Sequence, residues 1–128
     1  MSQNRETGAA ADRFGRSTAR AIAQRIGAVM VRRGSNEAEY KGERVVIKCA
    51  SRRTDSVGVT YKMLPKLSLV VGAFAQDDGR YQVIALSSKL YKNYMTDTKS
   101  KGPSAGKVGI VKRKVFEERG AKIARVRA

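Results

Sequence analysis

The sequence predicts a mixed α/β (α+β) domain, with flanking helices packed on a mixed central sheet. Three observations lead there. Ala19, Ile22, Ala23 and Ile26 recur at helical spacing near the start of the patterned chain. Two apolar runs fold back over short turns, one at Lys41-Gly42 and one at Asp77-Asp78-Gly79. A serine-capped stretch from Ser87-Ser88 to Met95 supplies a second helix. The 128 residues suit one domain, and with 41% hydrophobic residues they can fill its core.

Taken in order, residues 1–12 are small and polar and read as a flexible tail, leaving 13–128 as one basic domain. The first helix runs from Ser17 to Ile26; Ser17 or Thr18 caps it, Gly27 ends it, and Arg13, Arg16 and Arg20 form a second stripe. Ala28 to Val31 reads as a short strand that leads into Arg32, Arg33 and Gly34. Glu39-Tyr40 and Glu43 to Cys49 make a hairpin, with Val45 and Ile47 on one face and Arg44, Val46 and Lys48 on the other. A polar loop over Ser51 to Ser56 precedes a helical stretch around Thr60 to Leu64, which Pro65 ends or kinks. Leu69 to Ala75 and Arg80 to Leu86 form the second hairpin, whose first strand is apolar on both faces and so belongs in the middle of a sheet. The second helix presents Leu90, Tyr91, Tyr94 and Met95 as its apolar side. The segment from Thr96 to Lys107 lacks apolar content and reads as a loop. Val108 to Phe116 and Lys122 to Val126 are expected to close the chain as a strand pair joined around Glu118 to Gly120.

Charge narrows the function. Twenty-seven Lys and Arg against 11 acids leave a formal +16, which suits a polyanionic partner, nucleic acid before a membrane surface. The absence of histidine excludes Ser-His and Cys-His catalytic pairs and imidazole metal ligands. The lone Cys49 builds neither a zinc finger nor an internal disulfide, which suits a reducing compartment. With no apolar run near the ~18 residues of a membrane span and no secretory core, a soluble cytoplasmic protein is expected. The basic residues come in clusters beside short side chains that let backbone N–H groups approach a phosphate. Arg32, Arg33, Arg52, Arg53, Tyr61, Lys62, Lys99, Lys101, Ser104 and Lys107 are the residues expected to contact nucleic acid, DNA ahead of RNA. The loop around Lys101-Gly102 is not a P-loop, because Lys107 is followed by Val108 and a strand.

The segment Arg32-Arg33-Gly34-Ser35-Asn36-Glu37 through Lys48 reads as a basic Gly-Ser turn, an acid, a hairpin and a strand with an inward lysine. With the preceding helix, it resembles the core of the PD-(D/E)xK, or restriction-endonuclease-like, superfamily. That resemblance spans roughly residues 16–86 and implies an α/β fold with a mixed central sheet. It implies Glu37 as the first acid and a metal ligand, Lys48 as the catalytic lysine, and Mg²⁺ as the cofactor. The same pattern asks for an acid two residues before the lysine, where this chain has Val46. Glu39, Glu43 and Asp55 are the acids nearest in sequence to replace it, and alternation turns Glu43 away from Lys48. The resulting expectation is a DNA-binding protein of this fold with an incomplete metal site, able to pair as a homodimer. The alternatives are a small Mg²⁺-dependent DNA nuclease and an RNA-binding or ribosome-associated protein. The nuclease alternative requires Glu37 to share a strand face with residue 46 and Lys48.

Overall fold

A computed structural model describes residues 15–32, 35–97 and 106–128. Within them the first helix, α1, covers 15–26. Gly27 closes it with φ 79°, and the Ala28 N–H donates back to the Ala23 carbonyl at 2.8 Å, a left-handed cap that glycine adopts without strain. Nine strands follow: β1 (Val29–Met30), β2 (Glu37–Tyr40), β3 (Glu43–Ala50), β4 (Ser56–Thr60), β5 (Leu69–Ala75), β6 (Tyr81–Ser87), β7 (Thr96–Asp97), β8 (Val108–Lys112) and β9 (Ala121–Val126). Helices α2 (Ser88–Tyr94) and α3 (Arg113–Arg119) lie among them.

Six strands form one mixed sheet in the order β1-β2-β3-β5-β6-β9, in which only β3 and β5 run parallel. The β2–β3 turn is Lys41-Gly42, with φ of 51° and 81°, the two positive values that a two-residue hairpin turn requires. β3 and β5 are buried on both faces, as their near-continuous apolar sequences demand. On one face Val45, Ile47, Val71 and Ala73 pack with Ala19, Ile22 and Ala23 of α1. On the other, Val46, Val70, Phe74, Ile84 and Leu86 pack with Tyr91 of α2, Phe116 of α3 and the residues of a second sheet, ordered β4-β8-β7. The molecule is therefore layered, with a helix, the main sheet, and a small sheet carrying two helices. The central position expected for Leu69 to Ala75 is the one found.

Three sequence expectations need correcting. The segment from Val108 is not one strand paired with the last. β8 ends at Lys112 and pairs with β4, whereas 113–119 turn helical and β9 pairs with β6. Arg113–Glu117 and Lys114–Glu118 stand at helical i,i+4 spacing, 3.0 and 4.0 Å apart, and Val115 next to Phe116 breaks strand alternation. Thr60 ends β4 instead of opening a helix, and the only helical turn there is the 3-10 turn Leu64–Lys66, which Pro65 enters where a missing N–H costs nothing. Thr96–Asp97 join the small sheet, while the expected tail and most of the loop after them lie outside the described residues.

Gly120 sets the turn into β9 by close approach. A Cβ there would lie 2.5 Å from Ile84 Cγ2 and 2.6 Å from the Phe116 carbonyl. Tyr91 ties α2 to the small sheet, because its buried hydroxyl sits 2.8 Å from the Val57 carbonyl and 2.7 Å from that of Gly109. Burial raises the phenol's pKa, so the single proton is kept and donated to one carbonyl at a time. Tyr91→Phe keeps the ring contact with Phe116 but leaves the carbonyls without that donor. It is expected to lower unfolding free energy by about 1–2 kcal/mol in urea melts with the slope unchanged; no loss would remove the hydroxyl from the account of the core.

Candidate nucleic-acid interface

The register of the first hairpin decides what the expected site contains. Glu37 lies directly opposite Val46 across β2 and β3, and Glu39 opposite Arg44. Cross-strand partners share a face, so Glu37, Val46 and Lys48 all lie on the face away from α1. The Ile47 N–H donates to the Asn36 carbonyl at 3.0 Å, and the Val31 N–H to the Glu37 carbonyl at 3.0 Å, which pin this end of the hairpin between its neighbours. Glu43 pairs with Tyr40 and points to the α1 side, as alternation predicts. Lys48 is half-buried and stands opposite Gly72 of β5.

Glu37 is a buried carboxylate, with its side chain only 7% exposed. The backbone N–H of Glu37 donates to Ser35 Oγ at 3.0 Å. Arg44 Nη1 donates to Oε2 at 3.3 Å, and Arg32 Nη2 stands 3.9 Å from Oε1. Arg44 reaches Glu39 as well, at 3.7 Å. Both oxygens of Glu37 therefore face guanidinium groups, which offset the cost of taking the charge out of water.

The Mg²⁺ implied by the resemblance is not matched by these residues. Val46 is wholly buried in the apolar cluster and offers no oxygen where the second acid belongs. Glu37 is held by two arginines, and Asn36 Oδ1, buried and without a hydrogen-bond partner among the described residues, is an uncharged amide oxygen. Magnesium binds through hard oxygens, usually including carboxylates. No three of His, Cys, Asp and Glu gather closely enough to hold a metal among the described residues. Cys49 offers no replacement nucleophile, since burial pushes its thiol up to about 12 against a weaker pull from Lys48.

Arginine surrounds this spot. Arg16 and Arg20 stand one turn apart on α1 and line, with Arg32 and Ser35, a groove of about 440 Å³ between α1 and β1. Among the described residues, none lining it is acidic. Sequence reading placed Arg16 and Arg20 on a basic stripe but missed that β1 brings Arg32 beside them; their four-residue spacing was the available signal. Arg44, the partner of Glu37, was read only as a strand residue.

The remaining expected contacts are spread over the surface. Arg52 and Arg53 are exposed on the loop after β3, where Arg52 pairs with Asp77 of the β5–β6 turn at 3.1 Å. Tyr61 is half-buried against the core, and its hydroxyl donates to Asp97. Its backbone N–H donates to the Lys107 carbonyl at 2.9 Å, which places exposed Lys62 and Lys107 near each other. Arg33, Lys99, Lys101 and Ser104 lie outside the described residues.

No family model matches the chain, and no curated protein matches it. Among solved structures, Hjc from Archaeoglobus fulgidus, a Holliday junction resolvase of an archaeal hyperthermophile, is similar at TM-score 0.48 and 12% identity, over 87% of this chain and 93% of that one.

Removing Arg44 leaves a buried carboxylate with only the more distant Arg32. Arg44→Ala is expected to cost about 1–3 kcal/mol in urea melts at neutral pH. Glu39→Ala, on a carboxylate 62% exposed, should cost less than about 1 kcal/mol. Equal losses would show that Glu37 does not depend on Arg44.

Proposed function

We propose that this chain is a DNA-binding protein of restriction-endonuclease-like fold whose metal site is incomplete. The observation that carries this reading is the pairing of Glu37 with Val46, with the carboxylate turned over to Arg32 and Arg44. A helix, an antiparallel hairpin and a parallel β3–β5 step follow the order that the resemblance implies, which supports the fold assignment. The arginine groove next to Glu37 and the formal charge of +16 support a phosphate backbone as partner. In this reading the corner around Glu37 serves binding. Arg32 spans Glu37 and the groove, so the buried carboxylate orients a guanidinium toward the phosphates, and the Ser35 hydroxyl lines the same groove. No helix among the described residues is long and apolar enough to cross a membrane.

The test is a gel-shift panel of duplex DNA, branched DNA, single strands and RNA, with and without Mg²⁺, joined to a plasmid-nicking assay. Duplex binding is expected without Mg²⁺. If about six to ten phosphates are engaged, log affinity should fall with log salt at a slope of about −5 to −9. Replacing Arg52 and Arg53 with alanine should flatten that slope by about one to two units, the lower value because Arg52 is shared with Asp77. A nearly flat slope in the wild type would remove the polyanion from the account. Robust Mg²⁺-dependent nicking, abolished by Glu37→Ala or Lys48→Ala, would overturn the non-catalytic reading.

A further inference from the structure

A second group of arginines gathers on the opposite flank of α1. Arg25, five residues beyond Arg20, projects about 140° round the helix from it. With Arg80, Arg125 and Arg127 it lines an open depression of about 390 Å³ beside β9. These four come from three separate places: the end of α1, the β5–β6 turn, and β9 with the residue following it. Asp78 is a carboxylate beside three of them. It accepts the Arg80 N–H at 3.0 Å and pairs with Arg80 Nε at 3.2 Å. Its pKa is lowered by that N–H first, and then by the charges of Arg80, Arg125 and Arg127. Arg127 lies over the same turn, with Nη1 3.3 Å from where a Cβ on Gly79 would stand. Arg125 turns its Nη2 to Gln82 Oε1 at 3.5 Å, on the sheet face that carries Phe74, and also lines a depression there with Arg113 and Glu117. Among the described residues, Arg25 and Arg127 have no carboxylate within ion-pair distance, so the group repels itself until an anion arrives.

Both arginine groups flank the same helix. β1 and β9 are the two edges of the six-stranded sheet, five strand spacings apart, or about 24 Å. That distance matches about seven nucleotide steps of a duplex at about 3.4 Å each. We propose that one DNA duplex lies across the α1 face, with its phosphates held at one end by Arg16, Arg20 and Arg32 and at the other by Arg25, Arg80 and Arg127. Nucleic acid then sits on the side of the sheet opposite Val46 and Lys48. This rests on the DNA-binding reading and adds the surface, the direction and the minimum length.

The experiment compares hairpin DNAs with stems of about five and about sixteen base pairs, one on each side of the spanning estimate. Binding is measured by fluorescence anisotropy across a salt series. For wild-type protein the longer stem should give the steeper slope. The double variant Arg80→Glu with Arg127→Glu should lose about one to two units of slope on the longer stem, the lower value because Arg80 is shared with Asp78, and little on the shorter one, which fits within the groove at β1. Arg25→Glu, on a different element, should repeat that pattern with about one unit, and circular dichroism melts confirm that both variants are folded. Equal losses on both stems, or none on the longer, would overturn the track while leaving DNA binding in place. Failure of the wild type to bind either stem would overturn the DNA-binding reading itself. Saturable binding of inorganic pyrophosphate at this corner, together with a variant effect independent of stem length, would assign it to a small anion and also overturn the track.

Discussion

A carboxylate buried against an apolar strand needs cations, and much of this molecule's chemistry follows from how Glu37 obtains them. β3 is buried on both faces because it sits between β2 and β5, with α1 on one side and the small sheet on the other. Val46 fills its place in that core completely. Glu37, its cross-strand partner, is consequently taken out of water with no polar group opposite. Arg44 comes from the hairpin itself and Arg32 from the segment between β1 and β2, so satisfying the carboxylate also organises the sheet edge. The groove beside it inherits an oriented arginine and Ser35.

On the proposed reading, the same geometry separates a binding corner from a catalytic one. Metal-assisted phosphoryl chemistry needs anionic oxygens converging on a divalent ion, which then activates water and neutralises developing charge. Here the converging groups around the carboxylate are positive. A guanidinium on Glu37 competes directly with a cation for its oxygens, and replacing an acid by valine removes ligand and local negative potential together. The surplus positive charge is left facing outward, where phosphates are its natural complement.

Much of the sheet was legible in the sequence because its signals are local. Alternation around Val45 to Lys48, the Lys41-Gly42 and Asp77-Asp78-Gly79 turns, and the Ser87 cap, whose Oγ accepts the Leu90 N–H at 3.1 Å, each act within a few residues. The closing segment was misread because its apolar residues suit either a strand or a helix, and tertiary packing decides. Phe116, on α3, is buried between Phe74 and Tyr91, edge-on to both rings. Of the candidate site, the face shared by Glu37, Val46 and Lys48 followed from strand period. What did not follow was long-range: the approach of Arg32 to Glu37, the meeting of Arg52 with Asp77, and the assembly of Arg25, Arg80, Arg125 and Arg127 from distant parts of the chain. Clustered charge in a sequence points to a polyanionic partner, but the surface it forms depends on which strands become edges.

The most direct measurement of the central claim is a Mn²⁺ titration of the wild-type protein, followed by water-proton relaxation, with Glu37→Gln as the control. Manganese favours the same oxygen donors as magnesium and reports its own binding. If Glu37 belongs to the arginines, the wild type and Glu37→Gln will show the same weak, non-saturating response through the millimolar range. Saturable binding in the micromolar range that disappears in Glu37→Gln would mean that the carboxylate is a metal ligand after all, and the corner would have to be read as a catalytic centre.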